Sequence, residues 1–192
     1  MAMHLKFYAI ALIIAASLSI RALVGASPSQ ADSPSLLLGL VDAAAQRLQT
    51  ADLVAAVKFK TGGSVDDPQR EQQVIDKVTA AAAAKRIDSG YVEEIFRNQI
   101  DATDAIEHAR FADWKLDPVA APATAPDLSA SRAAIDQLNQ TIVNEIAAQW
   151  DPLHSPNCAV DLKNALSTVI SERELDDLYQ RALTYATHSY CR

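Results

Sequence analysis

Glycine is scarce in this chain: five residues in 192. Aromatic side chains make up only 6%, and no segment sustains the apolar/polar alternation of a half-buried strand. These shortages, set against abundant alanine and leucine, point to an all-α fold. The length suits a single domain with a real core. The few glycines form no phosphate-cradling loop, and no serine sits in a nucleophile elbow. The four histidines, His4, His108, His154 and His188, lack the spacing of a metal site, so none is expected. Cations are also in short supply, 17 against 24 acidic residues. Such a chain is a poor partner for nucleic acid or an anionic membrane.

What is present begins with the N-terminus. Lys6 precedes a continuous apolar run, Phe7 to Ile20, followed by small residues at Val24-Gly25-Ala26 and Ser29-Gln30-Ala31. This reads as a signal peptide over residues 1–31, too short for a comfortable membrane span, with the folded domain over 32–192. Cleavage after Ala26 or after Ala31 fits, and the second is preferred. Loss of Lys6 and Arg21 leaves 15 cations against 24 acids, a net charge of −9. The expected product is exported, to the periplasm or the medium, and independent of the membrane. In an exported chain the two cysteines, Cys158 and Cys191, read as one disulfide.

Capping and breaking residues predict about six helices. The first is expected from Ser33-Pro34, capped by Ser33 or Asp32, to near Gly62. The second follows Asp67, a good N-cap ahead of Pro68 at N1, and carries the run Ala80 to Ala84. After a break at Lys85 to Asp88, a third helix capped by Asp88 or Ser89 spans about Gly90 to Trp114. Leu116 to Asp127, with Pro118, Pro122 and Pro126, reads as a linker. A fourth helix, capped by Asp127 or Ser129, runs to Trp150 and stops at Asp151-Pro152. A C-terminal hairpin pairs a helix at Asn157–Ile170 with one from Ser171 to about His188. The disulfide staples this hairpin's start to its end.

The stretch from Arg47 to Glu71 carries the functional signal. Leu37, Val41, Ala44, Leu48, Ala51 and Ala55 mark an apolar stripe. Arg47 and Lys58, eleven residues apart, fall on nearly one helical face, roughly 16 Å apart along the axis. Cations at the edge of a buried stripe either snorkel to water or meet an anion, and spacing leaves both open. Arg70 sits in the first turn of its helix, where the dipole disfavours a cation. Three cations on adjacent helices of an acidic chain suggest a pocket for a small anion. On the third helix, Thr103 and Glu107 are i,i+4 neighbours on the face with Ile95, Ile100 and Ile106. A carboxylate on such a face needs either a partner or a proton.

The ordered set Arg47, Lys58, Asp67-x-x-Arg70-Glu71, Thr103-x-x-Ile106-Glu107, Ser129-x-x-Arg132 and two late cysteines resembles the all-helical AroQ-class chorismate mutases. The likeness spans about Leu36 to Cys191. Trp114-Lys115-Leu116 and Leu178-Tyr179-Gln180-Arg181-Ala182-Leu183 resemble the mycobacterial-type secreted subclass in particular. The resemblance implies a cofactor-free [3,3]-sigmatropic rearrangement of chorismate to prephenate in a homodimer. It implies that Arg47 and Arg132 bind a substrate carboxylate and that Arg70 helps hold the substrate. Lys58 would donate to the ether oxygen, which a protonated Glu107 would also face. Glu71 would bind the ring hydroxyl, and Asp67 and Thr103 would line the site. Shorter relatives borrow an arginine from a partner subunit, whereas here Arg132 would complete the site within one chain. The competing reading is a non-catalytic exported bundle that binds a small acid or a protein. Convergence of these residues on one concave site is what separates the two.

Overall fold

The computed structural model of the chain describes residues 36–124 and 127–192, and no strand occurs among them. The expected signal peptide and the expected first cap at Asp32 or Ser33 lie outside these residues. Eight α-helices are described: α1 (Leu38–Gln49), α2 (Ala51–Thr61), α3 (Pro68–Lys85), α4 (Ser89–Leu116), α5 (Leu128–Ala148), α6 (Trp150–Leu153), α7 (Cys158–Glu172) and α8 (Asp177–Thr187). A 3₁₀ turn, Pro118–Ala120, lies in the linker.

Helix α4, 28 residues long and so about 42 Å from end to end, is the central strut. It packs on α1, α2, α3 and α8, while α1 packs on α5, α7 and α8. The predicted stripe Leu37, Val41, Ala44, Leu48, Ala51 and Ala55 is fully buried. Around it gather Val78 of α3, Val92, Ile95 and Phe96 of α4, and Ile142 and Ile146 of α5. A smaller cluster forms where the ends of α2 and α4 meet. There Ala55, Ala56 and Trp114 pack with Phe59 and Phe111. Phe59 stands edge-on to Phe111 and Trp114, with centroids 5.3 and 5.4 Å apart, and Arg110 of α4 reaches Asp52 of α2 at 2.7 Å. The last turns of α2 are thereby fixed against α4, which matters because Lys58 sits there.

Three expected boundaries are corrected. The single first helix divides at Thr50, whose amide bonds the Arg47 carbonyl three residues back at 3.2 Å and whose hydroxyl reaches the same oxygen at 2.7 Å. Thr50 keeps helical dihedrals, φ −72° and ψ −17°, so the chain tightens without turning away. The fifth helix ends at Ala148 rather than Trp150, and Pro152 lies inside α6. A continuous helix would set the Pro152 ring against the Ala148 carbonyl with no N–H to offer, so the proline acts one turn upstream of itself. The hairpin turn lies at Arg173 to Asp176 rather than at Ser171. Glu172 closes α7, Glu174 occupies the left-handed region at φ 50°, and Asp176 caps α8 by accepting from the Tyr179 amide at 2.9 Å. The other caps are Asp67, Asp88 and Asp127, each accepting a backbone N–H in the first turn that follows it.

Cys158 and Cys191 form the expected disulfide, with Cα atoms 5.6 Å apart and 33 residues of separation. Closing a loop of this length stabilises by roughly 3–4 kcal/mol in the chain-entropy account. Urea unfolding of Cys191→Ser is expected to show a loss of about that size. Equal midpoints for the variant and the parent would show that the bridge adds nothing.

Candidate active site

One cleft collects every site residue named from the sequence: Arg47, Lys58, Asp67, Arg70, Glu71, Thr103, Glu107 and Arg132. Its apolar walls are Val54, Val65, Val74, Ile100, Leu128 and Ile135. Five helices contribute. Arg47 comes from the last turn of α1 and Lys58 from α2, while Asp67 caps α3, which carries Arg70 and Glu71. Thr103 and Glu107 come from α4, and Arg132 from α5.

The local sequence explains each placement. Gly62 ends α2 in the left-handed conformation, φ 70°, which an L side chain adopts only with strain. The chain then folds back so that the Val65 carbonyl accepts from Lys58 Nζ at 2.6 Å. Asp67 accepts from the Arg70 amide at 3.1 Å, and Glu71 Oε1 accepts from the Asp67 amide at 3.1 Å. This reciprocal cap sets Arg70 and Glu71 at the mouth of the cleft.

Arg47 and Lys58 are both largely withdrawn from solvent rather than snorkelled. Arg47 is 4% exposed. Its Nε donates to Asn139 Oδ1 at 2.8 Å, and Nη1 donates to the Gln99 carbonyl at 3.1 Å and to Thr103 Oγ1 at 3.0 Å. Burial lowers its pKa to about 10, with Asp104 pulling the other way, so it stays charged at neutral pH. Lys58 Nζ lies 2.9 Å from Glu107 Oε2. Glu107 is 2% exposed. Burial raises its pKa, and the hydrogen bond and charge of Lys58 offset only part of the rise. Arg70 pairs with Asp136 at 2.6 Å and Arg132 with Asp67 at 3.2 Å. Arg70, singled out as badly placed for its own helix, is therefore placed for α5 and for the cleft together.

Asp104 is a lining residue that the sequence reading missed. Its signal was available: three residues before Glu107, it lies about 60° from it around α4. Burial first, then the charges of Glu71, Glu107 and Asp66, push its pKa up to about 7. Its ordinary value is 3.8, so between these two the folded chain holds a proton that the unfolded chain has released. Stability falls as pH rises across that window. Asp104→Asn is accordingly expected to raise the melting temperature above pH 7 and to leave it unchanged below about pH 4. A gain of the same size at every pH would point to packing instead. Among the described residues, no group of three or more His, Cys, Asp or Glu side chains is placed to hold a metal ion.

Comparison with known proteins bears on this geometry. Residues 38–108 match the family described as "Chorismate mutase type II". The chain is 61% identical over 179 residues to a secreted chorismate mutase of Mycolicibacterium smegmatis, covering 92% of this chain and 99% of that protein. It is 46% identical over 186 residues to a secreted chorismate mutase of Mycobacterium tuberculosis, covering 97% and 94%. Among solved structures, a chorismate mutase from Burkholderia phymatum superposes with a TM-score of 0.78 at 29% identity, covering 83% of this chain and 98% of that one.

Proposed function

The chain belongs to the type II chorismate mutases, and from that premise we propose how its cleft rearranges chorismate. The observation that carries the proposal is the convergence of Arg47, Lys58, Arg70, Arg132 and Glu107 on one concave site. A binding protein would need the cations, but it would not need a buried carboxyl beside an ammonium.

Chorismate is a dianion whose enolpyruvyl arm must fold over its ring before the new carbon–carbon bond can form. Arg47 and Arg132 hold the side-chain carboxylate, and Arg70 helps fix the substrate. The compact conformer is thus selected before reaction, which removes an entropic part of the barrier. Negative charge grows on the ether oxygen as its bond to the ring breaks. Lys58 and a protonated Glu107 donate to that oxygen from the buried end of the cleft, beside aliphatic side chains. Glu71 accepts from the ring hydroxyl, and Thr103 and Asp67 complete the wall. Chemistry of this kind calls for no nucleophile and no cofactor.

Lys58 pairs with Glu107 and Arg132 with Asp67. An incoming dianion raises the pKa of Glu107 further. Once Glu107 carries a proton, its claim on Lys58 weakens from an ion pair to a neutral hydrogen bond, and the ammonium can turn to the ether oxygen.

The site is complete within one chain, in a protein that assembles as a homodimer. Co-expressing Arg47→Ala with Arg132→Ala tests this. Hybrid dimers stay as inactive as either variant if each chain supplies both arginines. Recovered turnover would mean that the site is shared between subunits. Export belongs to the same proposal, with cleavage after Ala31 leaving Asp32 first. Two relatives are named as secreted, and no described helix is long and apolar enough to cross a membrane.

A further inference from the structure

Four cations line the cleft, and three of them face a carboxylate: Lys58 faces Glu107, Arg70 faces Asp136, and Arg132 faces Asp67. Arg47 is the exception among the described residues. It is the most deeply buried of the four, where a missing counter-charge is most costly. Its hydrogen bonds nonetheless end on a carboxamide, a peptide carbonyl and a hydroxyl. Asp104 and Glu107 act on it through space, but neither forms an ion pair with it.

Asn139 is the decisive neighbour. It lies on α5, is 3% exposed, and accepts from Arg47 Nε at 2.8 Å across 92 residues of sequence. A guanidinium only donates, so the carboxamide oxygen must be the atom that faces it. Aspartate has nearly the same shape and would bond the same Nε more strongly, with a charge-assisted bond. It would also neutralise the cation.

We infer that Asn139 is a positioning residue: it aims Arg47 into the cleft with a neutral acceptor and so leaves that cation's charge uncompensated for a substrate carboxylate. Arg47 is fixed by dipoles and keeps a whole positive charge for the anion. The three paired cations must instead loosen an existing bond to a carboxyl group before they engage the substrate. The inference rests on the proposed role of Arg47, and the experiment keeps the two separable.

Asn139→Asp, Asn139→Ala and Arg47→Lys are compared with the parent for kcat, KM and melting temperature. Asn139→Asp is expected to melt no lower than the parent and yet to raise KM for chorismate about tenfold or more, with a smaller change in kcat. The new carboxylate both occupies Arg47 and repels the dianion. Asn139→Ala is expected to raise KM less, because orientation is lost but charge is not. Arg47→Lys is expected to raise KM because an ammonium cannot offer a planar fork of donors. A parental KM in Asn139→Asp overturns the inference, and so does an Asn139→Ala defect as large as that of the aspartate variant. If the aspartate variant does not fold, an unchanged KM in Asn139→Ala overturns it. Unchanged KM in Arg47→Lys strikes at the proposed role of Arg47 itself.

Discussion

Replacing Lys58 by alanine is expected to lower kcat by about 10²–10³, or about 2.7–4 kcal/mol of transition-state stabilisation. The effect should fall mainly on kcat, because the charge that Lys58 meets is greatest when the ether bond is breaking. The lysine is held for this task by the Val65 carbonyl at 2.6 Å and by Glu107 at 2.9 Å, at the end of a helix fixed to α4 by Phe59 and the Arg110–Asp52 pair. The fold is expected to survive. Without the ammonium, Glu107 loses the interactions that offset its burial, so it keeps its proton and leaves no bare charge in the core. Steady-state kinetics with a circular dichroism spectrum checks both halves. Near-parental turnover in a folded variant would remove Lys58 from the mechanism.

The second large effect is on the pH profile. Burial holds the Glu107 carboxyl above its usual range. The active form is the protonated one, because only that form donates to the ether oxygen. Activity is therefore complete below the Glu107 pKa and falls as pH rises through it, by about tenfold per pH unit on the far side. Glu107→Gln keeps a donor of similar shape that does not titrate. The variant is expected to stay active, with the alkaline fall in kcat/KM flattened. A profile measured from pH 5 to 9 decides the matter. An alkaline fall as steep in the glutamine variant as in the parent would mean that Glu107 is not the titrating donor.

Much of the site was legible because its signals are local. Asp67-Pro68 announces a helix start and thereby places Arg70 and Glu71. The interval from Arg47 to Lys58 puts two cations on one face, and the relation survives the break at Thr50 because helical dihedrals continue through it. Asn139 carries no such signal. It lies in the polar run Gln137-Leu138-Asn139-Gln140, and its importance comes from a partner on α1 that only folding brings near. Asp104 is intermediate: the helical angle places it beside Glu107, but its burial depends on packing that spacing alone does not show. The hairpin boundary failed for a different reason. Ser171-Glu172-Arg173-Glu174 can end one helix or begin the next, and burial of Leu175 with the left-handed Glu174 decides in favour of ending. The pairing of each cation with its carboxylate was likewise beyond spacing rules, since Asp136 and Asp67 meet Arg70 and Arg132 across different helices.

The most direct test of the central claim is chorismate consumption, followed by absorbance, with the purified chain from Asp32 in buffer without added cofactor. Rapid first-order conversion to prephenate at neutral pH is the expected result. A folded, disulfide-bonded sample that leaves chorismate unchanged would contradict it and would leave the cleft a binding site for a small acid.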